Sequence, residues 1–185
     1  MRNPDHGFSL LELVIAIAIL GILAATGIPK MSGWIQSANV KSAAEFYTEG
    51  LRLARVEAVR RNSGSRFQIN VPDTNGWSVD WCQPTTVAPC ITGSGTWTNV
   101  YTRAGAAYNN VLLTVCPGGA AEVIFSPVGW VNTQGNAPVS ALRIDSPNNT
   151  VNSAQLEINL SGVVGRCDPS VTNVSDSRRC QVVCP

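Results

Sequence analysis

The chain has 185 residues, enough for one domain with an appendage, and a formal net charge of only +1. Thirteen Lys and Arg residues against twelve Asp and Glu residues create no global field for nucleic acid or an anionic membrane surface, so any such binding must be local. The single histidine, His6, precedes the first apolar run, which excludes Ser-His and Cys-His nucleophile pairs and His-bearing metal sites from the rest of the chain. A Gly-rich phosphate loop and a paired-carboxylate motif are also missing from the sequence. We therefore predict that the protein is not an enzyme, has no catalytic residues and binds no cofactor or metal.

An apolar segment runs from residue 8 to residue 28, interrupted only by a serine, a glutamate (Glu12) and a threonine. As a helix it extends roughly 30 Å, the thickness of the hydrocarbon core of a bilayer. A cleaved secretory signal peptide is the alternative, because the small residues of "ILAATG" (22–27) suit a signal peptidase. The segment is longer than the apolar core of a signal peptide, however, and an ionised Glu12 inside it is penalised. We therefore predict a transmembrane helix.

The helical pattern resumes after Pro29. Small or apolar residues recur at the i, i+3/i+4 spacing of an amphipathic helix, at Ala43, Tyr47, Leu51, Ala54 and Ala58. Glu57 and Arg61 form a favourable i, i+4 pair, and "NSG" (62–64) ends the pattern. One long helix is therefore predicted from residue 8 to about residue 61.

Beyond residue 64 the apolar period changes to two, which is typical of antiparallel strands. Residues 67–71 and 77–81 alternate on either side of the turn sequence "PDTNG" and predict a hairpin. Further short strands are predicted at 111–115, 121–125, 141–144 and 156–160. Loops rich in Gly, Pro and Asn are predicted at 84–96, 117–119, 132–138 and 145–150. The predicted fold is α+β, with a long N-terminal helical spine packed against a C-terminal antiparallel β-sheet domain.

Six cysteines lie downstream of the predicted helix, and their even number indicates disulfides formed in an oxidising compartment. Cys82 and Cys90 form the natural local pair across a Pro-containing loop. The other four, Cys116, Cys167, Cys180 and Cys184, allow three connectivities that the sequence does not decide. Our preferred choice joins Cys167 to Cys180 and Cys116 to Cys184. The spacings do not form two CxxC knuckles, so no zinc site is predicted.

The sequence Gly7-Phe8-Ser9-Leu10-Leu11-Glu12, after a short polar leader and before an apolar helix, closely resembles the class III signal of type IV pilins and type II secretion pseudopilins. The resemblance implies that a prepilin peptidase cleaves between Gly7 and Phe8 and that the new N-terminus at Phe8 is methylated. It also implies that Phe8 and Glu12 take part in assembly. The partners implied are the prepilin peptidase, the other pilins or pseudopilins of the filament, and the bacterial inner membrane, with the C-terminal domain in the periplasm.

The position of Glu12 has a chemical explanation. After cleavage the chain starts with an ammonium at Phe8, one helical turn before Glu12, and a carboxylate near a helix N-terminus is favoured by the unpaired N–H groups and the dipole. An opposite charge within the membrane lowers the cost of both groups. We hypothesise that Glu12 meets the terminal amine of a neighbouring subunit and sets the axial register of docking. The alternative is a glutamate that only extends to the membrane interface.

Three later motifs carry a second resemblance: "AR-x-EA-x-RRN" (54–62), "IFSPVGWV" (124–131) and "LEINLSGVVGR" (156–166). They resemble type II secretion pseudopilin H and the fimbrial biogenesis minor pilins T and U. The resemblance implies a minor, tip-associated subunit that helps initiate or cap a type IV pilus or a type II secretion pseudopilus, and no residue separates the two systems.

The implied organisation has four parts. Residues 1–7 form a leader peptide and residues 8–28 a transmembrane and assembly helix. Residues 29–62 form an amphipathic continuation of the helix. Residues 63–185 form a β-rich, disulfide-bonded periplasmic or extracellular domain.

A DNA-binding role in natural transformation is the alternative function. Relatives of the T type are implicated in DNA uptake through arginines after a C-terminal Gly-Arg motif, and Arg166 matches the start of that motif. Arg178 and Arg179 follow a dozen residues later, and a bridge between Cys167 and Cys180 would gather the three arginines into a phosphate-contacting patch.

We prefer a simpler interpretation of these arginines. Asp168 and Asp176 lie among them, and three cations against two anions make a weak phosphate site. They are therefore interpreted as solvated loop residues.

Tryptophans suggest a carbohydrate platform as a further alternative. They are Trp77, Trp81, Trp97 and Trp130. Because Trp77 and Trp81 fall on one face of a predicted strand, we predict that both are core residues.

Overall fold

The computed structural model describes residues 9–70, 75–83, 96–105, 110–134, 137–148, 151–182 and 184, and their side chains except those of residues 26–30 and 70. Gly7, Phe8 and Cys90, to which the sequence assigned roles, lie outside these residues. The described residues form one long helix, α1 (Leu10–Arg61), followed by eight strands in two antiparallel sheets. The predicted α+β class is therefore confirmed.

The first sheet has the strand order β3-β2-β1-β5 and the second has the order β4-β6-β7-β8. The strands of the first sheet are β1 (Ser65–Asn70), β2 (Gly76–Gln83), β3 (Thr96–Arg103) and β5 (Glu122–Phe125). The strands of the second are β4 (Leu112–Cys116), β6 (Ala141–Asp145), β7 (Ala154–Ile158) and β8 (Val164–Cys167). The hairpin predicted around residues 72–76 is the β1–β2 pair, in which Phe67 lies opposite Val79 and Ile69 opposite Trp77.

Two strands were not predicted. β3 begins where the sequence predicted the end of a loop, and its side chains are mostly exposed. β8 has four residues and lies at the edge of its sheet, with Gly165 and Arg166 exposed. β3 and β8 bury little on either face, so they lack the apolar alternation that reveals a strand in a sequence.

The chain divides into two compact units, residues 1–35 and 36–185. In the first unit, the large apolar side chains of α1 are exposed, namely Leu10, Leu11, Leu13, Val14, Ile15, Ile17, Ile19, Leu20, Ile22 and Leu23. Among the residues that the structure describes, we find no helix with both the length and the apolar character of a membrane span. Membrane crossing by residues 8–28 stays a prediction.

The second unit has a core formed between α1 and the sheets. All five helix positions predicted to face the domain are buried: Ala43, Tyr47, Leu51, Ala54 and Ala58. Phe67 and Trp77 are fully buried in the same core. A Cβ at Gly50 would lie 2.5 Å from the Phe67 ring and 2.7 Å from the Trp77 ring. Glycine at this helical position therefore lets the aromatic side chains of the sheet approach the helix backbone.

The prediction for the two strand tryptophans is only half right. Trp77 is fully buried, whereas Trp81 is half-buried, with the Arg61 guanidinium 4.6 Å from its ring centroid. β2 pairs with β1 in regular register through Trp81, so the alternation holds, but Trp81 lies near the end of the strand, where burial is incomplete.

Two disulfides fasten the C-terminal segment to the second sheet. Cys116 on β4 is joined to Cys184, and Cys167 on β8 is joined to Cys180, which is the connectivity preferred from the sequence. Arg143 Nη1 also donates to the carbonyl oxygen of Cys184 at 3.1 Å. Cys82 is fully buried.

Glu57 anchors the end of α1. Its carboxylate accepts hydrogen bonds from Arg60 Nη2 at 2.7 Å and from Arg61 Nε at 2.8 Å, which confirms the predicted pair with Arg61. Burial acts to raise the pKa of Glu57, but the two arginine hydrogen bonds and charges outweigh it, so the net shift is downward.

Acid is expected to weaken the fold through Glu57. Because its pKa is lower in the folded state, the carboxylate contributes stability that is fully present above the unfolded pKa, about 4.3, and is lost as the pH falls through the folded pKa. Glu57→Gln should cost about 1.5–3 kcal/mol at neutral pH and flatten the acid limb of stability against pH, measured by urea denaturation. Glu45→Gln, at an exposed position of the same helix, is the matched control. An unchanged acid limb in Glu57→Gln would contradict the assignment.

Candidate functional site

The first candidate site is the start of α1. Glu12 lies exposed in the first helical turn, and the neighbouring Leu13 N–H donates to the carbonyl oxygen of Ser9 at 3.2 Å. The first N–H groups of a helix have no partner within the helix, and the dipole there favours a carboxylate. Leu11 and Leu13 on either side of it are 68% and 59% exposed. Glu12 is thus a lone carboxylate on an exposed apolar surface.

The surface around Glu12 continues along α1 as far as Leu23. Its exposed leucines, isoleucines and valines occupy successive turns and face every direction around the helix. A helix that is apolar all round is found within a membrane or packed among other helices. The geometry therefore favours contact with lipid or with other helices. The cleavage site and the proposed contact of Glu12 with an amine at Phe8 stay predictions.

The second candidate site contains the three C-terminal arginines. The Cys167–Cys180 disulfide closes a loop that returns to β8, where the Asp168 N–H donates to the Arg178 carbonyl oxygen at 2.7 Å. Asp168 also forms an isolated bridge with Arg179. The loop therefore places Arg178 and Arg179 near the end of the strand that carries Arg166.

A groove of about 680 Å³ lies beside this loop, lined by Lys41, Asp168, Arg166 and Arg178 among others. Lys41 was not predicted as a member of this site, because its place in the groove depends on how the helix packs on the sheet. Arg179 is not among the lining residues.

The charges in this groove partly cancel. Arg178 Nη2 lies 2.8 Å from Asp176 Oδ2, and hydrogen bonds from Arg178 lower the pKa of Asp176 to about 2. Arg178 is itself 71% exposed along its side chain, and Asp168 places a carboxylate in the lining of the groove. Within the described ranges, neither Arg166 nor Arg179 forms an ion pair.

One cluster has the composition of a metal site. Glu157, Cys167 and Cys180 offer ligand atoms within 4.8 Å of one another. The two sulfurs are joined in a disulfide, however, so neither offers the thiolate that a metal requires.

The three later sequence motifs meet in space. Arg55 Nε donates to the Gly129 carbonyl oxygen at 3.1 Å, which joins the first motif to the second. The Val131 N–H donates to the Leu160 carbonyl oxygen at 3.0 Å, which joins the second to the third. This convergence was not predicted, because the motifs are far apart in the chain and no pattern within one of them indicates the others.

Two family profiles match the chain. Residues 2–28 match the prokaryotic N-terminal methylation motif, and residues 43–162 match the type II transport protein GspH. The second match covers more than half of the chain. It includes all three later motifs except the last four residues of the third.

Several known proteins are similar to the chain. The type IV major fimbrial protein FimA of Dichelobacter nodosus is 30% identical over 132 residues, which cover 70% of this chain and 83% of that protein. The type IV minor pilin FimU of Pseudomonas aeruginosa superimposes with a TM-score of 0.51 at 17% identity, covering 70% of this chain and 97% of FimU. The minor pseudopilin EpsH from the type 2 secretion system of Vibrio cholerae gives a TM-score of 0.50 at 16% identity, covering 72% and 99%. The two solved structures share the fold.

Proposed function

Because the chain belongs to the GspH family of pilins and pseudopilins and carries the N-terminal methylation motif, we propose that it is a structural subunit that helps initiate or cap a type IV pilus or a type II secretion pseudopilus. Proteins of this family are filament subunits and not enzymes. The observation that carries the proposal is the exposed, all-round apolar surface of α1 with Glu12 in its first turn. Such a surface requires a membrane or other helices to cover it.

The proposed maturation and assembly of the subunit have two stages. The precursor is held in the inner membrane by residues 8–28, with the disulfide-bonded domain in the periplasm, where disulfides form and persist. A prepilin peptidase then cleaves between Gly7 and Phe8 and the terminus at Phe8 is methylated. In the second stage α1 moves into the filament, where Glu12 meets the terminal amine of a neighbouring subunit.

A minor position in the filament is proposed over a place in the main shaft. The GspH match and the likeness to a minor pilin and a minor pseudopilin support it. The similarity to a major fimbrial protein supports filament assembly in general.

DNA uptake has less support. Phosphate contacts by Lys and Arg supply most of the affinity for DNA. Here Arg178 is paired with Asp176, and Asp168 lines the same groove as Arg166, so little net positive charge is left for phosphates. We therefore do not propose DNA binding by Arg166, Arg178 and Arg179.

Deletion of the gene tests the proposal. We expect loss of surface pili or loss of type II secretion, with restoration by the full chain, and the affected process identifies the filament system. The mature protein should lack residues 1–7 and carry one added methyl group by mass spectrometry. A deletion strain with normal pili and normal secretion would show that the proposed function is wrong.

A further inference from the structure

Six exposed apolar side chains gather where the three later motifs meet, and we call them the three-segment patch. They are 49% to 68% exposed: Val56, Val59, Val128, Trp130, Leu160 and Val163. The segments are in close contact, since a Cβ at Gly129 would lie 3.3 Å from Val59 Cγ2 and Val131 is hydrogen-bonded to Leu160. The patch is therefore one surface built from α1, the turn at 126–131 and the turn at 159–163.

The backbone beneath the patch is held in place by hydrogen bonds. In the first turn, the Gly129 N–H donates to the Ser126 carbonyl oxygen and the Ser126 N–H donates to the Trp130 carbonyl oxygen, both at 2.8 Å. In the second turn, the Val163 N–H donates to Asn159 Oδ1, also at 2.8 Å. A surface fixed before binding loses little conformational entropy when a partner arrives.

Two glycines allow the turns to come together. Gly129 and Gly162 have φ values of 81° and 75°, in the left-handed region that favours glycine. A Cβ at Gly162 would lie 2.1 Å from the Gly129 carbonyl oxygen, which also accepts the hydrogen bond from Arg55. The chain thus maintains a tightly packed support under side chains that are themselves left in solvent.

The composition of the patch is that of a protein interface. Contiguous exposed apolar surface on a soluble domain marks a contact site, and tryptophan is enriched among the residues that contribute most to binding. Trp130 is the aromatic residue of the patch and is 62% exposed. The other five members are aliphatic, which suits an apolar protein surface better than a sugar.

Arginines form the rim on the helix side. Arg52 and Arg60 are exposed and lie one turn before and one turn after Val56, and Arg55 adjoins it. Glu57 is turned inward and is already neutralised by Arg60 and Arg61. In the part of the chain that the structure describes, no carboxylate pairs with Arg52 or Arg55. A partner with carboxylates around an apolar centre would complement this rim.

We propose that the three-segment patch docks the extracytoplasmic domain of a different subunit of the same filament, through an apolar surface flanked by Asp or Glu. A second copy of this chain fits poorly, because docking patch to patch would bring two arginine rims together. The inference rests on the proposed function, since it takes the partner from the filament in which the chain assembles.

Site-specific photo-crosslinking of the full chain, in cells that assemble the filament, tests this docking. A benzophenone amino acid placed at position 130 or 160 should yield an adduct with one other subunit that carries a class III signal. Mass spectrometry should place the crosslink in an apolar peptide containing Asp or Glu. Position 174, where Val174 is 79% exposed outside the patch, is the matched control and should yield no adduct.

Variants then test the apolar centre and the rim separately. With the crosslinker at position 128, Trp130→Ser should lower the adduct yield about tenfold and Arg52→Glu several-fold, whereas Val174→Ser should leave it unchanged. Retention of both disulfides on a non-reducing gel shows whether a variant has folded. The crosslinks from positions 130 and 160 need no destabilising substitution, because both side chains are exposed.

Four results would overturn the inference: no adduct at positions 130 and 160 in cells with intact filaments, equal adducts from position 174, an adduct with a second copy, or an adduct with a protein outside the filament. Failure of the proposed function gives a different result, because deletion of the gene would then leave pili and secretion intact. If deletion abolishes filaments and any of these four results is also obtained, the docking inference is rejected while the proposed function stands.

Discussion

Glu12→Leu is expected to leave the chain in the membrane and correctly cleaved, but to keep it out of filaments. The substitution replaces a carboxylate in an apolar segment by a residue that hydrocarbon accepts, so insertion becomes more favourable, by less than the roughly 2.5–3.5 kcal/mol that a charge costs at the centre of a membrane helix. It also removes the proposed partner of the amine at Phe8. Quantitative immunoblots of the membrane fraction and of sheared filaments measure the two effects separately.

The opposite directions of these effects make the experiment decisive. If Glu12 only extends to the membrane interface, the variant should enter filaments as well as the unaltered protein does. Glu45→Leu is the matched control, because it removes an exposed carboxylate from the same helix outside the apolar segment. Normal incorporation of Glu12→Leu would show that the assembly contact is wrong.

Removal of the Cys116–Cys184 disulfide should destabilise the domain more than removal of Cys167–Cys180. The two bonds join residues 68 and 13 positions apart, and a longer loop restricts the unfolded chain more. By the chain-entropy relation, replacing the first pair by alanine should cost about 4 kcal/mol and the second about 3 kcal/mol. Denaturation in urea, followed by tryptophan fluorescence, to which buried Trp77 contributes, measures both.

The second disulfide pair is itself the control for this comparison, because both variants lose two cysteines from the same domain. The first pair also fills space in the protein interior, where Cys116 and Cys184 are 5% and 4% exposed. Its removal should therefore destabilise the domain in two ways, because packing in the interior is lost and the unfolded chain is less restricted. Equal loss of stability in the two variants, or a greater loss from the shorter loop, would contradict the expectation.

Periodic patterns explain which elements were predictable. α1 has apolar residues throughout its first half and a regular buried face afterwards, and β1 and β2 alternate on either side of a turn sequence. β7 was predicted at 156–160, two residues after its observed position at Ala154–Ile158. The apolar residues on which that prediction relied continue past the strand to the exposed Leu160 of the next turn. β3 and β8 have no buried face of their own and therefore gave no period to detect.

The candidate sites also differ in how far they can be predicted from the sequence. Glu12 is visible in the sequence because its charge contrasts with its immediate neighbours. The groove residue Lys41 and the patch residues Val59, Trp130 and Leu160 acquire their positions only when distant segments pack together. The sequence drew attention to Trp130 as a tryptophan and as part of a motif, but nothing along the chain indicates that it lies beside Val59 and Leu160.

The cross-linking of the C-terminal segment also affects how the domain responds to proteases. A cut in any loop between residues 117 and 183 leaves both fragments joined through Cys116 and Cys184. When the cut falls before β8, each fragment also keeps at least one strand of the second sheet, and the interstrand hydrogen bonds continue to hold the strands in register. A subunit in which a protease has cut one of these peptide bonds before assembly therefore stays a single covalently linked molecule. Its fragments separate only after the disulfides are reduced.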